Sequence, residues 1–117
     1  MNQGGKNGER RAVKFLLSHG HSIVERNFSC RYGEIDIISF DGGVVFSEVK
    51  MRSVGSYGGA SEAVTKTKQR KILKTARLLI QQKPEYGLYD CRFDVIAIER
   101  ENRDIRITWI KSAFVDS

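Results

Sequence analysis

The chain has 117 residues, 40% of them hydrophobic, which is enough for one domain over residues 1–117 and excludes two full-sized domains or wholesale disorder. Lys and Arg outnumber Asp and Glu by 20 to 14, which favours an anionic partner such as nucleic acid, although a basic surface that only aids solubility fits equally well.

No apolar run reaches the ~20 residues that cross a bilayer, and no apolar signal core follows the polar N-terminus, so we expect a cytoplasmic protein with no membrane partner. Cys30 and Cys91 lack C-x-x-C spacing and are expected to be reduced thiols rather than zinc ligands.

The first predicted element is a helix from Gly8 to His19, ended by Gly20. Its apolar stripe consists of Ala12, Val13, Leu16 and Leu17. Glu9 lies one turn ahead of Val13 and continues this inward stripe. Such a carboxylate usually meets a partner, although a favourable interaction with the helix dipole explains it too.

Three strands are predicted next: Ser22–Asn27, Gly33–Phe40 and Val44–Lys50. The last two are joined by Asp41-Gly42-Gly43, a hairpin turn signal. The following segment, Met51–Gly59, contains three glycines and is expected to form a mobile loop.

A second helix is predicted from Ser61 or Thr65 to Lys83, and two strands, Cys91–Glu99 and Ile105–Lys111, close the chain. The order indicates an α/β fold, with a mixed central sheet of about five strands flanked by helices. The connection through the second helix is long enough for a parallel crossover.

One face of the second helix is basic. Its residues follow helical spacing: Lys66, Arg70, Lys74 and Arg77. A face that only keeps a helix soluble usually interleaves glutamates, whereas no acidic residue occurs from Lys66 to Arg77. Contact with nucleic-acid phosphates is therefore favoured over a solvated face, with Arg52 and Tyr57 of the loop as further candidates for contact.

The hairpin carries the residues that indicate chemistry. If its loop is the three residues 41–43, cross-strand partners have numbers that sum to 84, so Asp36 lies opposite Glu48 and Glu34 opposite Lys50. Two opposed carboxylates need a counter-charge, which a divalent cation with oxygen ligands supplies. A two-residue loop would place Asp36 and Glu48 on opposite faces, and a salt-bridge ladder is the alternative explanation, although it accounts poorly for this pair.

These residues also carry a resemblance. The Gly33-Glu34-Ile35-Asp36 run, the Glu48-Val49-Lys50 run and the helical Glu9 resemble the PD-(D/E)xK nuclease superfamily, although Ile35 replaces the proline. Together with Asn7-Gly8-Glu9, Arg26-Asn27, Glu62-Ala63-Val64 and the run from Arg92 to Val95, they resemble the uncharacterised bacterial YraN-like family, which is similar to archaeal Holliday-junction resolvases. The resemblance covers nearly the whole chain and implies a restriction-endonuclease-like core.

The resemblance implies a role for each motif residue. Asp36 and Glu48, helped by the Val49 backbone carbonyl, would bind Mg²⁺ or Mn²⁺, and Glu9 would hold the metal through water. Lys50 would orient or activate the attacking water. This set suits phosphodiester hydrolysis.

Weaker expectations concern seven other residues. Glu34 is as well explained as a partner of Lys50 or an arginine as it is as a ligand, and Gln69 lies close to the inward side of its helix, near the expected site. Tyr57 could stack on a base or simply belong to a loose loop. The remaining four are expected to be structural: His19 and His21 as exposed turn residues, Asp94 as a partner of Arg92 or of a helix residue, and Trp109 in the core.

The sequence thus predicts a metal-dependent endonuclease that acts on DNA, with branched or otherwise structured DNA among its candidate substrates. The alternative is a non-catalytic nucleic-acid-binding module with a nuclease-like fold, and a third hypothesis is an adaptor whose basic helix binds an acidic protein. A homodimer and an RNA substrate are the alternatives to a monomer that acts on DNA.

Overall fold

The computed structural model describes residues 3–53 and 64–115, except the side chains of residues 3–6. Two helices and five strands follow the predicted order, with a short 3-10 helix before the fourth strand. Their bounds are α1 (Gln3–Ser18), β1 (Ser22–Cys30), β2 (Gly33–Phe40), β3 (Val44–Ser53), α2 (Lys66–Gln82), the 3-10 helix (Pro84–Leu88), β4 (Cys91–Glu101) and β5 (Asp104–Phe114). The α/β fold with a mixed five-stranded sheet is confirmed.

The strands form one sheet in the order β1-β2-β3-β4-β5. Neighbours are antiparallel except β3 and β4, which are parallel and connected through α2. The β2–β3 hairpin pairs Phe40 with Val44 and Ile37 with Ser47. These numbers sum to 84, so the predicted three-residue loop and its register are confirmed.

The two helices cover opposite faces of the sheet. Successive residues of a strand point to opposite faces, and Val95 and Ile96 of β4 belong to different core clusters. Val95 packs in the cluster that contains Ile72 and Leu79 of α2, whereas Ile96 packs in the cluster that contains Leu16 of α1. Side chains of α1 and side chains of α2 therefore contact opposite faces of the sheet.

The second helix begins where its sequence predicts. Thr65 caps it by accepting a hydrogen bond from the Lys68 amide at 3.1 Å, and Pro84 follows its end. The alternative start at Ser61 lies outside the described residues, as does Tyr57. Within the described ranges, neither helix is long and apolar enough to cross a bilayer.

Several expectations need correction. His21 was expected to be an exposed turn residue, but it is buried, because β1 begins directly after it at Ser22 and places it against Ser39 and Trp109. The prediction of a loop from Met51 is wrong for residues 51–53, which extend β3 beside β4. His19 is exposed as expected. Trp109 is only half-buried, although it packs against the α1-side core.

Candidate metal centre

The centre lies where β2 and β3 cease to pair. Their backbone ladder ends at Ile37 and Ser47, and one further step of the same register places Asp36 opposite Glu48. The Asp36 carboxylate accepts a hydrogen bond from the Val49 amide at 2.8 Å, so a side chain takes over where the backbone ladder stops. The Glu48 carboxyl group lies close enough to share a hydrogen bond with Asp36 when one of the two is protonated, which raises the pKa of Asp36.

Glu9 reaches this point from α1. The helix passes close to β3 at Gly8, where an added Cβ would lie only 2.7 Å from the Met51 sulfur. The Glu9 carboxylate is hydrogen-bonded by the Asn27 side chain and lies 3.8 Å from the Arg26 guanidinium. Glycine at position 8 thus permits the close approach that brings Glu9 to the strands.

Three carboxylates converge here. Glu9, Glu34 and Asp36 each offer one oxygen, and these three oxygens lie within 4.8 Å of one another. We call these three residues the acidic cluster. Their spacing would allow a single cation to contact all three, so the cluster could hold a metal ion.

The pKa values of the three carboxyl groups in the cluster are raised, because their negative charges are only partly compensated. Burial, followed by the hydrogen bond with Glu48 and its negative charge, raises the pKa of Asp36 to about 7. Burial and then the Asp36 charge raise the pKa of Glu9, and burial and then the hydrogen bond with Asp36 raise the pKa of Glu34. All three carboxyl groups therefore favour binding a positive charge, whether a proton or a metal ion.

Glu48 borders the cluster from the α2 side of the sheet. Its side chain is 7% exposed, and its Oε2 atom is buried and forms no hydrogen bond with any residue that the structure describes. The nearest cation is the Lys68 ammonium, 3.7 Å from this oxygen. A buried carboxylate oxygen held only by this loose contact retains capacity for a stronger partner.

The acidic cluster differs from the expected set of metal ligands in one residue. Glu34, not Glu48, lies with Glu9 and Asp36 in the cluster. Glu34, which the sequence left equally open as a ligand or as a partner of Lys50 or an arginine, lies in the acidic cluster, and the positive charge that opposes the rise of its pKa comes from Lys68. Lys50 lies two residues beyond Glu48 in β3 and is half-buried. The role of Lys50 and of the Val49 carbonyl stays a prediction, since the recorded contact of Val49 is through its amide.

The basic residues of α2 are placed at the surface. Lys66, Arg70, Lys74 and Arg77 are all exposed. Arg52 lies half-buried in β3 instead of in a loop. Gln69, a weak candidate for the site, donates to the Val64 carbonyl at 3.1 Å at the start of the helix.

Lys68 and Asn27 contact the site but were not among the predicted site residues. Lys68 lies four residues before the buried Ile72, so it continues the inward stripe of α2, and this spacing could have revealed it. Asn27 adopts a positive φ of 55° within β1. The sequence shows no comparable signal for this conformation beyond the tolerance of asparagine for it.

Fold and site together define an α/β domain with an acidic cluster at the point where two central strands separate. A sequence profile of the uncharacterised protein family UPF0102 matches residues 8–98, and the chain belongs to this family. A UPF0102 protein of Alcanivorax borkumensis is 44% identical, over 94% of this chain and 90% of the relative. Those of Pseudomonas savastanoi pv. phaseolicola and Francisella tularensis subsp. tularensis are 42% and 44% identical, over 96% and 94% of this chain and 93% and 92% of the relatives.

Proposed function

We propose that this protein is a Mg²⁺- or Mn²⁺-dependent endonuclease of the PD-(D/E)xK type, which hydrolyses phosphodiester bonds in DNA. The observation that carries the proposal is the convergence of the Glu9, Glu34 and Asp36 oxygens within 4.8 Å, beside Glu48 on the adjoining strand. Structured or branched DNA is the substrate class that we would test first, because the YraN-like family, which the sequence resembles, is similar to archaeal Holliday-junction resolvases.

The donor set suits a hard divalent cation. All the candidate ligands are carboxylate oxygens, which Mg²⁺ and Mn²⁺ prefer, whereas no His or Cys belongs to this set. The buried Glu48 Oε2 atom, which accepts no hydrogen bond from residues 3–53 or 64–115, adds a further acceptor beside the cluster. When bound, such a cation polarises a phosphate group and lowers the pKa of a water molecule.

Residues of the chain would orient the carboxylates and the attacking water. Asp36 is held by the Val49 amide at 2.8 Å, and Glu9 by Asn27, so both carboxylates are oriented by their neighbours. Lys50 would orient the attacking water and offset negative charge on the phosphorane. Because Lys68 contacts Glu48, α2 brings a second ammonium to the site.

The exposed stripe of α2 supplies affinity in this proposal. Lys68 shows that α2 passes beside the site, and Lys66, Arg70, Lys74 and Arg77 are exposed on the same helix. Phosphates that contact the stripe would thereby lie near the carboxylates. Most of the affinity for DNA would come from such contacts, which are independent of sequence.

A cleavage assay tests the proposal. Linear, nicked, flap and four-way DNA are incubated with the wild-type chain in Mg²⁺, Mn²⁺ or EDTA. We expect metal-dependent cleavage that Asp36→Asn and Glu48→Gln abolish, whereas Asp104→Asn and Glu101→Gln, which change exposed carboxylates of the β4–β5 turn, retain it. Binding of DNA without cleavage of any substrate by the wild type would contradict the proposal and favour the non-catalytic binding module.

Calorimetric titration with Mn²⁺ identifies the ligands. Glu34→Gln and Glu48→Gln remove one carboxylate each from either side of Asp36, so their effects on metal affinity rank the two as ligands. Lys50→Ala should keep the metal affinity and lose the cleavage rate, because it changes no oxygen ligand. Loss of metal affinity in Lys50→Ala with unchanged Glu34→Gln and Glu48→Gln would place the metal elsewhere.

The stripe is tested separately by binding. Arg70→Ala with Lys74→Ala should weaken binding to every DNA sequence about equally and lower the slope of log affinity against log salt by roughly 1–2. Metal affinity should not change, since neither side chain is a ligand. An unchanged slope would show that the stripe is only a solvated face, and salt-insensitive binding to a protein with none to DNA would instead support an adaptor.

A further inference from the structure

A second basic surface lies on the opposite face of the sheet from α2. An open groove of about 400 Å³ runs between α1 and β1, lined by Asn7, Arg10, Arg11, Val13, Lys14 and Arg26. We call it the α1–β1 groove. Four of its six lining residues are cationic and none is acidic, so its lining carries a charge of about +4.

Most of this charge is not used inside the fold. Within the described residues, Arg10, Arg11 and Lys14 form no ion pair, and all three are exposed. The carboxylate of Glu25, which neighbours Arg26 in β1, is already paired with Lys83 at 3.2 Å. Cations gathered in a groove without carboxylates differ from the alternating charges of an ordinary solvated helix face.

The groove adjoins the acidic cluster through Arg26. The Arg26 guanidinium lines the groove and lies 3.8 Å from the Glu9 carboxylate. A ligand in the groove would therefore extend to the candidate metal centre. Arg26 thus lies between the groove, which suits anions, and the acidic cluster, which suits a cation.

From this placement we infer that the α1–β1 groove binds the phosphate backbone of a polynucleotide and is a docking surface separate from the α2 stripe. The inference rests on the proposed function and names a further contact surface for the same substrate class. Arg10 and Lys14 are four residues apart, about 6 Å along the helix, so each can contact a different phosphate. Cations spread along an open groove suit a chain of phosphates better than one small anion.

Salt-dependent binding tests the inference. Affinity for a short fluorescent duplex is measured by anisotropy with the full wild-type chain in EDTA, where no metal-dependent cleavage occurs. The test variant is Arg10→Ala with Lys14→Ala, and Arg26 is left unchanged because it contacts Glu9. The control is Arg100→Ala with Arg103→Ala, which removes the same charge from exposed positions at the β4–β5 turn.

We expect the groove variant to bind about tenfold more weakly and to lower the slope of log affinity against log salt by about 1.8, at ~0.9 per lost contact. The control should change both quantities much less. Combining the groove variant with Arg70→Ala and Lys74→Ala of α2 should give additive losses, because the two surfaces lie on opposite faces. Thermal unfolding of each variant verifies that it is folded.

Three results would overturn the inference. Equal losses in the groove variant and the control would show a general effect of net charge, and no loss in either would show a solvated face. Loss of binding to poly-glutamate with unchanged binding to DNA would assign the groove to an acidic protein. Each of these can occur while metal-dependent cleavage persists, whereas failure of the proposed function would appear as absence of cleavage by the wild type.

Discussion

Carboxylates gather in two regions of the molecule, one around Asp94 in β4 and the other in the acidic cluster, and their surroundings differ. Asp94 in β4 is fully buried and accepts hydrogen bonds from Arg92, from the Trp109 indole and from the Ser112 amide, at 2.9–3.1 Å. The acidic cluster instead places Glu9, Glu34 and Asp36 beside one another. A saturated carboxylate stabilises a fold, whereas carboxylates that repel one another mark a place where a cation is needed.

The network around Asp94 extends to a histidine. Arg92 also contacts Asp41 at 3.2 Å, and Asp41 lies 3.4 Å from the buried His21 ring, which is hydrogen-bonded to Ser39. Burial alone would raise the pKa of Asp41, but Arg92, the Gly43 amide and His21 hold it below its usual value. Arg92 thus lies between two carboxylates, at 3.0 Å from Asp94 and 3.2 Å from Asp41, whereas the carboxylates of the acidic cluster lie next to one another.

The largest difference between the two regions should appear in the free energy of unfolding, when one isosteric substitution is made in each region. Asp94→Asn puts an amide where Asp94 accepts four hydrogen bonds and leaves Arg92 without its buried partner, so it should lower the free energy of unfolding by about 3 kcal/mol. Asp36→Asn should leave that free energy unchanged or raise it, because it relieves repulsion between carboxylates. Denaturant unfolding in EDTA measures both, and strong destabilisation by Asp36→Asn would mean that the cluster is a structural ion-pair ladder.

The same unfolding assay, repeated with Mn²⁺, should show that the metal ion binds at the acidic cluster and not near Asp94. Mn²⁺ at one hundred times its dissociation constant should raise the free energy of unfolding of the wild type by about 2.7 kcal/mol, since it binds only the folded chain. Asp36→Asn should lose this increment, whereas Asp94→Asn should retain it on a lower baseline. An increment that persists in Asp36→Asn would place the binding site outside the acidic cluster.

The pH dependence of stability in EDTA gives a smaller effect. The pKa of Asp36 is about 7 in the folded chain, against 3.8 when it is unperturbed. Between these pH values the folded state holds more protons than the unfolded state, so the free energy of unfolding should fall as pH rises from 4 to 7, on the order of 2 kcal/mol. Above pH 7 both states are ionised and this contribution becomes constant.

The same titration of Asp36→Asn provides the control. The amide does not ionise, so the slope between pH 4 and 7 should be reduced by the part that Asp36 contributes. Glu9 and Glu34, whose pKa values are also raised, would leave a residual slope of the same sign. A slope identical to that of the wild type would show that Asp36 does not carry the raised pKa.

The fold was predictable from the sequence because its signals are local. Alternating apolar residues and the turn at Asp41-Gly42-Gly43 set the hairpin register, which the structure shows from Phe40–Val44 to Ile37–Ser47, one step short of Asp36 and Glu48. The ends of the strands were predicted less well. β3 continues to Ser53 because its edge pairs with β4, a partner forty-odd residues away that no local pattern reveals.

The site was predictable only in part, for a similar reason. Residues that share one hairpin were brought together by strand alternation, but the inclusion of Glu34 with Glu9 depends on where β2 leaves β3 and how closely α1 approaches. His21 was missed because a histidine after a helix-ending glycine resembles a turn residue, and its burial depends on the contact with Ser39 of β2, eighteen residues away. Contacts between elements far apart in sequence were the ones that local patterns could not supply.

The smallest effect concerns Lys68, the cation that partly compensates Glu48. Its ammonium is 3.7 Å from the Glu48 carboxylate, and its side chain is 38% exposed, so the pair contributes only about 0.2–1 kcal/mol. An ammonium at this position also repels a metal ion in the neighbouring cluster. Lys68→Met, which keeps the length of the side chain and removes its charge, should therefore raise Mn²⁺ affinity by up to about fivefold. Lys66→Met, an exposed position on the same helix, is the matched control and should leave the affinity unchanged. If Lys68→Met instead weakens metal binding, Lys68 orients Glu48 more than it opposes the cation, and the cluster is better compensated than its contacts indicate.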